Sequence, residues 1–297
     1  MTLRAARPTV TIGVPVYNGE SMIGQCLDCL ARQTHADIEI IVSDNASTDQ
    51  TAAIVRDYAS CDSRIRLISQ PRNIGLMGNF SAVVEAATTG YFILRCHDDL
   101  SSDNYVEALL AAMQRQPGAQ IAVPAVHTLR NGRVPRLRVP PVTLRNAGGL
   151  NAGGQQPPLA SSAQLLRRSH QAWFCGLWDI EAVRPVFRRV WAGYDTPWGP
   201  DHLLLYPFVI SGRVAAAPDA IFIQRITPKT GAGDYGKPPP RERLAFRRSF
   251  LAMCRTFRRE HGITGLSETG LSLLTWNHAG RIYRMRDILM DRIAGRH

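Results

Sequence analysis

The sequence predicts an α/β fold built on a mostly parallel, doubly wound sheet, and three observations predict it. Short β-branched apolar runs recur through the first 130 residues, helical patterns fill the gaps between them, and polar residues stand where the runs end. The runs are nearly continuous rather than alternating, so the sheet is expected to be covered on both faces.

The elements follow in chain order. "TVTIGVPVYN" (9–18) opens the sheet, and a helical pattern over 20–33 follows it. That pattern holds Cys26 and Cys29 at CxxC spacing; with no second ligand pair they read as buried helix thiols rather than a metal site. "IEIIVSDN" (38–45) is the second strand, and Ser47 with Gln50 matches a capping box for a helix over 48–60. "IRLISQ" (65–70), a helix over 78–88, "YFILRC" (91–96), a helix over 102–116 with Ser101 or Ser102 as cap, and "QIAVPAV" (120–126) complete the series. Ligands in such sheets sit at the carboxyl ends of the strands, where Asn18, Asp44, Asn45, Asp98 and Asp99 all fall. Adjacent carboxylates repel unless a cation or donor lies beside them, so Asp98 and Asp99 read as ligands of a divalent ion rather than loop polarity.

Composition narrows the function classes. At 297 residues, 45% apolar and 20% charged, the chain can bury a full core. Its start has early arginines without an apolar segment behind them, and no apolar stretch approaches the roughly 18 residues that span a bilayer. A soluble cytoplasmic chain is expected, and six scattered cysteines without a disulfide framework agree. The net charge is +11, and residues 241–297 hold 12 arginines against 5 acidic residues. Such an excess suits an anionic membrane surface or substrate; no zinc-finger spacing, RNP-like strand or basic zipper points to nucleic acid. Phe246, Phe250, Met253 and Phe257, then Leu271, Leu274, His278, Ile282, Met285 and Leu289, repeat at helical spacing, with Arg248, Arg255 and Arg259 on one flank of the first set. The sequence leaves open whether these helices pack on the rest of the chain, pair with a second copy in a homodimer, or touch a membrane peripherally.

The run "VTIGVPVYNGESMIGQCLDCLARQTHADIEIIVSDNASTDQTAAIV", followed by "RNIGLMGNFSAVVEAATTGYFILRCHDD", resembles the nucleotide-sugar-binding half of a family 2 glycosyltransferase of GT-A fold. The likeness extends less tightly to about residue 225. It implies a catalytic domain over 1–228, with a nucleotide-sugar half at 9–130 and an acceptor half at 131–228, and a basic helical extension over 229–297. By the resemblance Pro15, Tyr17 and Asn18 flank the nucleotide, Asp44 hydrogen-bonds the base, and Arg72 and Asn79 shape the nucleotide and sugar pocket. Asp98 and Asp99 stand at the family's DxD element, touching ribose and a Mn²⁺ or Mg²⁺ ion. Many members carry an acidic residue first in that triplet, where this chain has His97. Asp99 is therefore the firmer ligand, and His97 either ligates the metal, favouring Mn²⁺, or hydrogen-bonds to a ligand.

The implied reaction is inverting transfer of a sugar from a nucleotide diphosphate sugar, UDP favoured, to a hydroxyl of a glycan or lipid-linked acceptor. Inversion needs a base opposite the leaving group, which the family places at the start of a helix in the second half. Asp201 in "DTPWGPDHLLLYPF" matches, with Asp195 and Asp179 in reserve and a dipole-stabilised helix carboxylate as its structural alternative. Trp198 is assigned to the acceptor; Trp173, Phe174, Trp178 and Trp191 serve either sugar stacking or core packing. The Gly-, Pro- and Arg-rich stretch 131–160 reads as a loop closing over donor and acceptor. Two other classes remain: a noncatalytic nucleotide-sugar binder or scaffold, and a nucleotidyltransferase. The latter is disfavoured because "VPVYNGES" replaces a Gly-rich basic phosphate loop.

Overall fold

The computed structural model describes residues 10–130, 137–138, 159–194, 196, 198–226, 238–263 and 265–285. Strands β1 (Val10–Val16), β2 (Ile38–Asp44), β3 (Ile65–Ser69) and β4 (Tyr91–Leu94) form a parallel block in the order β3-β2-β1-β4. Helices α1 (Ile23–Ala31), α2 (Thr51–Cys61) and α3 (Gly75–Ala86) connect them. Every residue of β1 is buried, as continuous apolarity predicts for a central strand covered on both faces. Because the block is parallel, the turns after β1, β2 and β4 emerge on one rim.

The sheet then departs from a parallel plan. After β4 come β5 (Leu100–Ser101), α4 (Tyr105–Arg115), β6 (Ile121–Arg130) and β7 (Leu137–Arg138). Next are α5 (Leu159–Arg168), a 3₁₀ turn (Gln171–Cys175), β8 (Leu177–Asp179), α6 (Ile180–Gly193), α7 (Pro200–Ile210) and β9 (Val214–Ile226). The order continues β4-β8-β6-β9-β5, with β8 antiparallel to both neighbours, β6 parallel to β9, and β5 antiparallel to β9. The fold is thus a mixed α/β sheet flanked by helices. Trp178 on β8 is fully buried, edge-on to Phe187 and Phe208, and Trp173 is also core. Apart from β7 and the start of α5, the expected loop over 131–160 lies outside the described residues, as do Asp195 and the 228 domain boundary.

Two expected caps are corrected. The Ser47–Gln50 capping box does not form: α2 starts at Thr51, and Ser47 Oγ instead accepts the Asn18 N–H at 2.9 Å. Neither Ser101 nor Ser102 caps α4 with its side chain; Ser101 enters β5, Ser102 Oγ accepts from Ile221 N–H, and Gln33 Oε1 accepts the Val106 N–H. Both serines lost the cap to long-range pairing with β9.

The C-terminal helices α8 (Pro240–Glu260) and α9 (Gly265–Ile282) pack on the rest of the chain through α7 and α5. Phe250 and Phe257 are buried, and so are Leu271 and His278, so both predicted stripes face inward; Leu289 is outside the described residues. The buried Arg258 donates to Tyr206 Oη at 2.8 Å, and that hydroxyl meets Thr275 Oγ1 of α9 at 2.7 Å. Leu273 and Trp276 remain exposed, with the Arg247 guanidinium 4.6 Å from the Trp276 ring centre. No described helix is long and apolar enough to cross a membrane. Phe257→Ala is expected to cost about 3–5 kcal/mol in urea unfolding, as a core truncation does. The exposed Arg255→Ala should stay within about 0.5 kcal/mol, and a negligible Phe257 effect would show the extension to be energetically separate.

Candidate active site at the strand ends

The first wall of the rim is a hydrogen-bonded pair of turns. Asn18, in the turn after β1, adopts a left-handed conformation (φ 48°), its Oδ1 accepting the Thr48 N–H at 2.9 Å. Gln50 N–H donates to Glu20 at 2.9 Å, and Glu20 N–H donates to Asp49 at 3.1 Å. Burial alone would raise the Asp49 carboxyl, but bonds from Thr51 and from the Glu20 N–H outweigh it and hold the group below its ordinary range. Asp44 is buried at the end of β2 and accepts the Ser47 N–H at 3.3 Å. Pro15 is buried, Tyr17 half-buried, and Asn18 and Arg72 exposed. Asn79 lies beneath them: its amide donates to the Val16 and Ser43 carbonyls at 3.2 and 3.0 Å and accepts from Ser43 Oγ at 2.6 Å. It therefore shapes the pocket by clamping β1 to β2 from below, with its polar atoms already engaged.

The second wall is the end of β4. Cys96, Asp98 and Asp99 place one potential ligand atom each within 4.8 Å of one another. Asp99 is only 5% exposed, and its carboxyl is pushed up to about 7, first by burial and then by Asp98. Arg225, near the end of β9, opposes this: its backbone N–H donates to Asp99 Oδ1 at 2.7 Å, its Nε to the Asp98 carbonyl and its Nη1 to Gln25 of α1. Arg95 adds a second positive charge near Asp99, its guanidinium buried between the rings of Tyr105 and Phe222 at 5.0 and 5.1 Å.

The donor set suits a hard divalent ion through its two carboxylates. Cys96 is held as a thiol by a hydrogen bond to Cys175 and by burial, which makes it a poor partner for such an ion. His97 does not join the group. Its ring packs on the β1–α1 turn, so close that a Cβ on Gly19 would lie 2.6 Å from His97 Cδ2, and burial lowers its pKa.

Asp201 stands apart, in the first turn of α7, and its carboxylate has no hydrogen-bond or ion-pair partner among the described residues. No bond joins it to Asp98 or Asp99. Trp198, three residues before it, is half-buried. The reserve Asp179 is an N-cap, its Oδ1 accepting the Glu181 and Ala182 N–H groups at 3.0 and 3.1 Å. Sequence reasoning missed Arg95, Arg225 and Cys96. The basic ends of "YFILR" and "AIFIQR" were the available signal, since an arginine closing an apolar strand needs a partner.

The sequence model described as Glycosyl transferase family 2 matches residues 11–170. The uncharacterized glycosyltransferase EpsJ of Bacillus subtilis is 26% identical over 279 residues, 91% of this chain and 76% of that one. Residues 1–349 of S. aureus TarS in complex with UDP-GlcNAc align at a TM-score of 0.61 and 17% identity, over 82% of this chain and 66% of theirs. The mannosyltransferase PcManGT of Pyrobaculum calidifontis, in complex with GDP-Man and Mn²⁺, aligns at 0.53 and 18% identity, over 98% and 88%. At these identities the structures establish a shared fold.

Independent of any ligand, Asn79→Ala is expected to destabilise the chain by about 1–3 kcal/mol, because bonds to buried groups are lost without replacement. An unchanged urea midpoint would show that the clamp carries no load.

Proposed function

As a member of glycosyl transferase family 2 with the GT-A fold, the chain is a glycosyltransferase, and we propose that it is an inverting enzyme using a nucleotide diphosphate sugar, UDP favoured. The acceptor is a hydroxyl of a glycan or a lipid-linked glycan. The observation that carries the reading is the pairing of Asp98 and Asp99 at the end of a central parallel strand, held by Arg225.

In this reading Asp44 holds the base, Pro15, Tyr17 and Asn18 flank the nucleoside, and the exposed Arg72 meets the diphosphate side of the donor. Asp99 and Asp98 would hold Mn²⁺ or Mg²⁺, which supplies neutralisation of the charge that develops on the leaving diphosphate. His97 braces the turn that carries Asn18. Asp201 takes the proton of the acceptor hydroxyl; its carboxylate has no hydrogen-bond partner among the described residues and stands in the first turn of α7. Attack opposite the leaving group inverts the anomeric centre. Trp198 lines the acceptor approach. Leu273 and Trp276, flanked by Arg247, support peripheral contact with an anionic membrane carrying the acceptor, and six free cysteines suit a reducing cytoplasm.

A thermal-shift panel of UDP, GDP, dTDP and CMP with and without Mn²⁺ tests the donor site. One nucleotide should raise the melting temperature in a Mn²⁺-dependent way, and Asp99→Ala should abolish that shift; no shift at high concentration would sink the assignment. Asp201→Asn should keep the shift while lowering turnover by about 10²–10⁴-fold, the range of a lost general base. Unaltered turnover would remove Asp201 from the chemistry.

A further inference from the structure

The C-terminal helix α9 grips the chain on both sides of Asp201. On the N-terminal side, the Trp198 carbonyl accepts from Tyr194 Oη at 2.7 Å and from Tyr283 Oη, just past the end of α9, at 3.0 Å. The two hydroxyls also meet each other, so three oxygens share two protons in a closed triangle. Both tyrosines are buried, at 4% and 0% exposure, and burial raises both phenols, which keeps the protons in place.

Gly199 follows with φ 87°, and a Cβ there would lie 2.8 Å from Tyr283 Oη. The residue that turns the chain into α7 is therefore pressed against the same tyrosine. On the C-terminal side, His202 meets His278 of α9 with ring centres 5.0 Å apart, and Arg281 lies 3.2 Å from His278 Nδ1. Burial lowers both imidazoles, so the contact is between neutral rings. With Trp198 and His202 both fixed by α9, the intervening residues have little freedom, and Asp201 lies among them.

We propose that Tyr283, acting with Tyr194 through the Trp198 carbonyl, is a positioning residue for Asp201, which makes the C-terminal extension a working part of the catalytic centre. This rests on the reading of Asp201 as the base. Nothing in the likeness at residues 11–170 reaches these helices.

The test compares full-length wild type, Tyr283→Phe, Asp201→Asn and Thr275→Val, the last an α9 control that loses its contact with Tyr206 without touching Trp198. The probes are UDP release from UDP-GlcNAc and GDP release from GDP-mannose, each with Mn²⁺, together with amide hydrogen exchange over residues 198–204. Tyr283→Phe should lower kcat at least tenfold with donor KM unchanged, and should speed exchange at the start of α7. Thr275→Val, matched for stability, should do neither. A Tyr283→Phe enzyme with kcat within twofold of wild type, unaltered exchange over 198–204, or an equal kcat loss in Thr275→Val would each overturn the proposal. If Asp201→Asn leaves kcat intact, it is the base assignment that fails; if that variant is inactive while Tyr283→Phe is normal, only the positioning role fails. Should neither donor turn over, the exchange comparison decides.

Discussion

The burial of Asp99 is the constraint around which the rim is arranged. A carboxylate that is 5% exposed beside another carboxylate is unfavourable in isolation, and burial pushes it towards its protonated form. The fold answers with an N–H and a guanidinium from Arg225 and a second guanidinium from Arg95. Arg225 belongs to β9, at the far side of the mixed half of the sheet, and also reaches Gln25 of α1. Holding one acidic strand end thus obliges the two halves of the sheet to close on each other.

The parts of this arrangement that depend on local pattern were legible in the sequence. β1 to β4 fall within the apolar runs that predict them, β6 starts in its run but continues past Val126 to Arg130 along β9, and Asp44, Asp98 and Asp99 stand at strand ends because a run of buried residues must stop somewhere polar. The parts that depend on distant partners were not. β8 is three residues long and β5 two, too short to carry a period, and each exists because neighbouring strands complete its hydrogen bonds. Ser47 reads as a cap until Asn18 claims its hydroxyl, and the packing of the His97 ring against the bare Gly19 is written in a turn far from its own segment. The same holds for Arg225 and Tyr283, whose meaning lies in chain segments far from their own.

The basic tail shows how charge can mislead when counted along the sequence. Two of its arginines, Arg243 and Arg258, are buried within α8, and Arg247 lies over an indole. Arg258 reaches a tyrosine hydroxyl on α7, so part of the positive excess is interior structure. Among the described residues, what remains outside is a smaller cationic surface, adjoined by the exposed Leu273 and Trp276.

α7 and β9 are separated only by Ser211–Arg213, and that turn is held at every residue. Ser211 N–H donates to Pro207 O, Gly212 N–H to Val209 O and Arg213 N–H to Phe208 O, while Arg213 O accepts from Gln120 and Ile121. Asp201 and Arg225 consequently lie at opposite ends of one continuous, stiffly jointed piece of chain. Length change by insertion or deletion is closed at this joint, because a single added residue would shift the helix carrying one group against the strand carrying the other. Within this piece the one irregularity in register lies in β9, whose pairing with β6 shifts between Pro124 and Ala125, so added length is absorbed there more readily than at the turn.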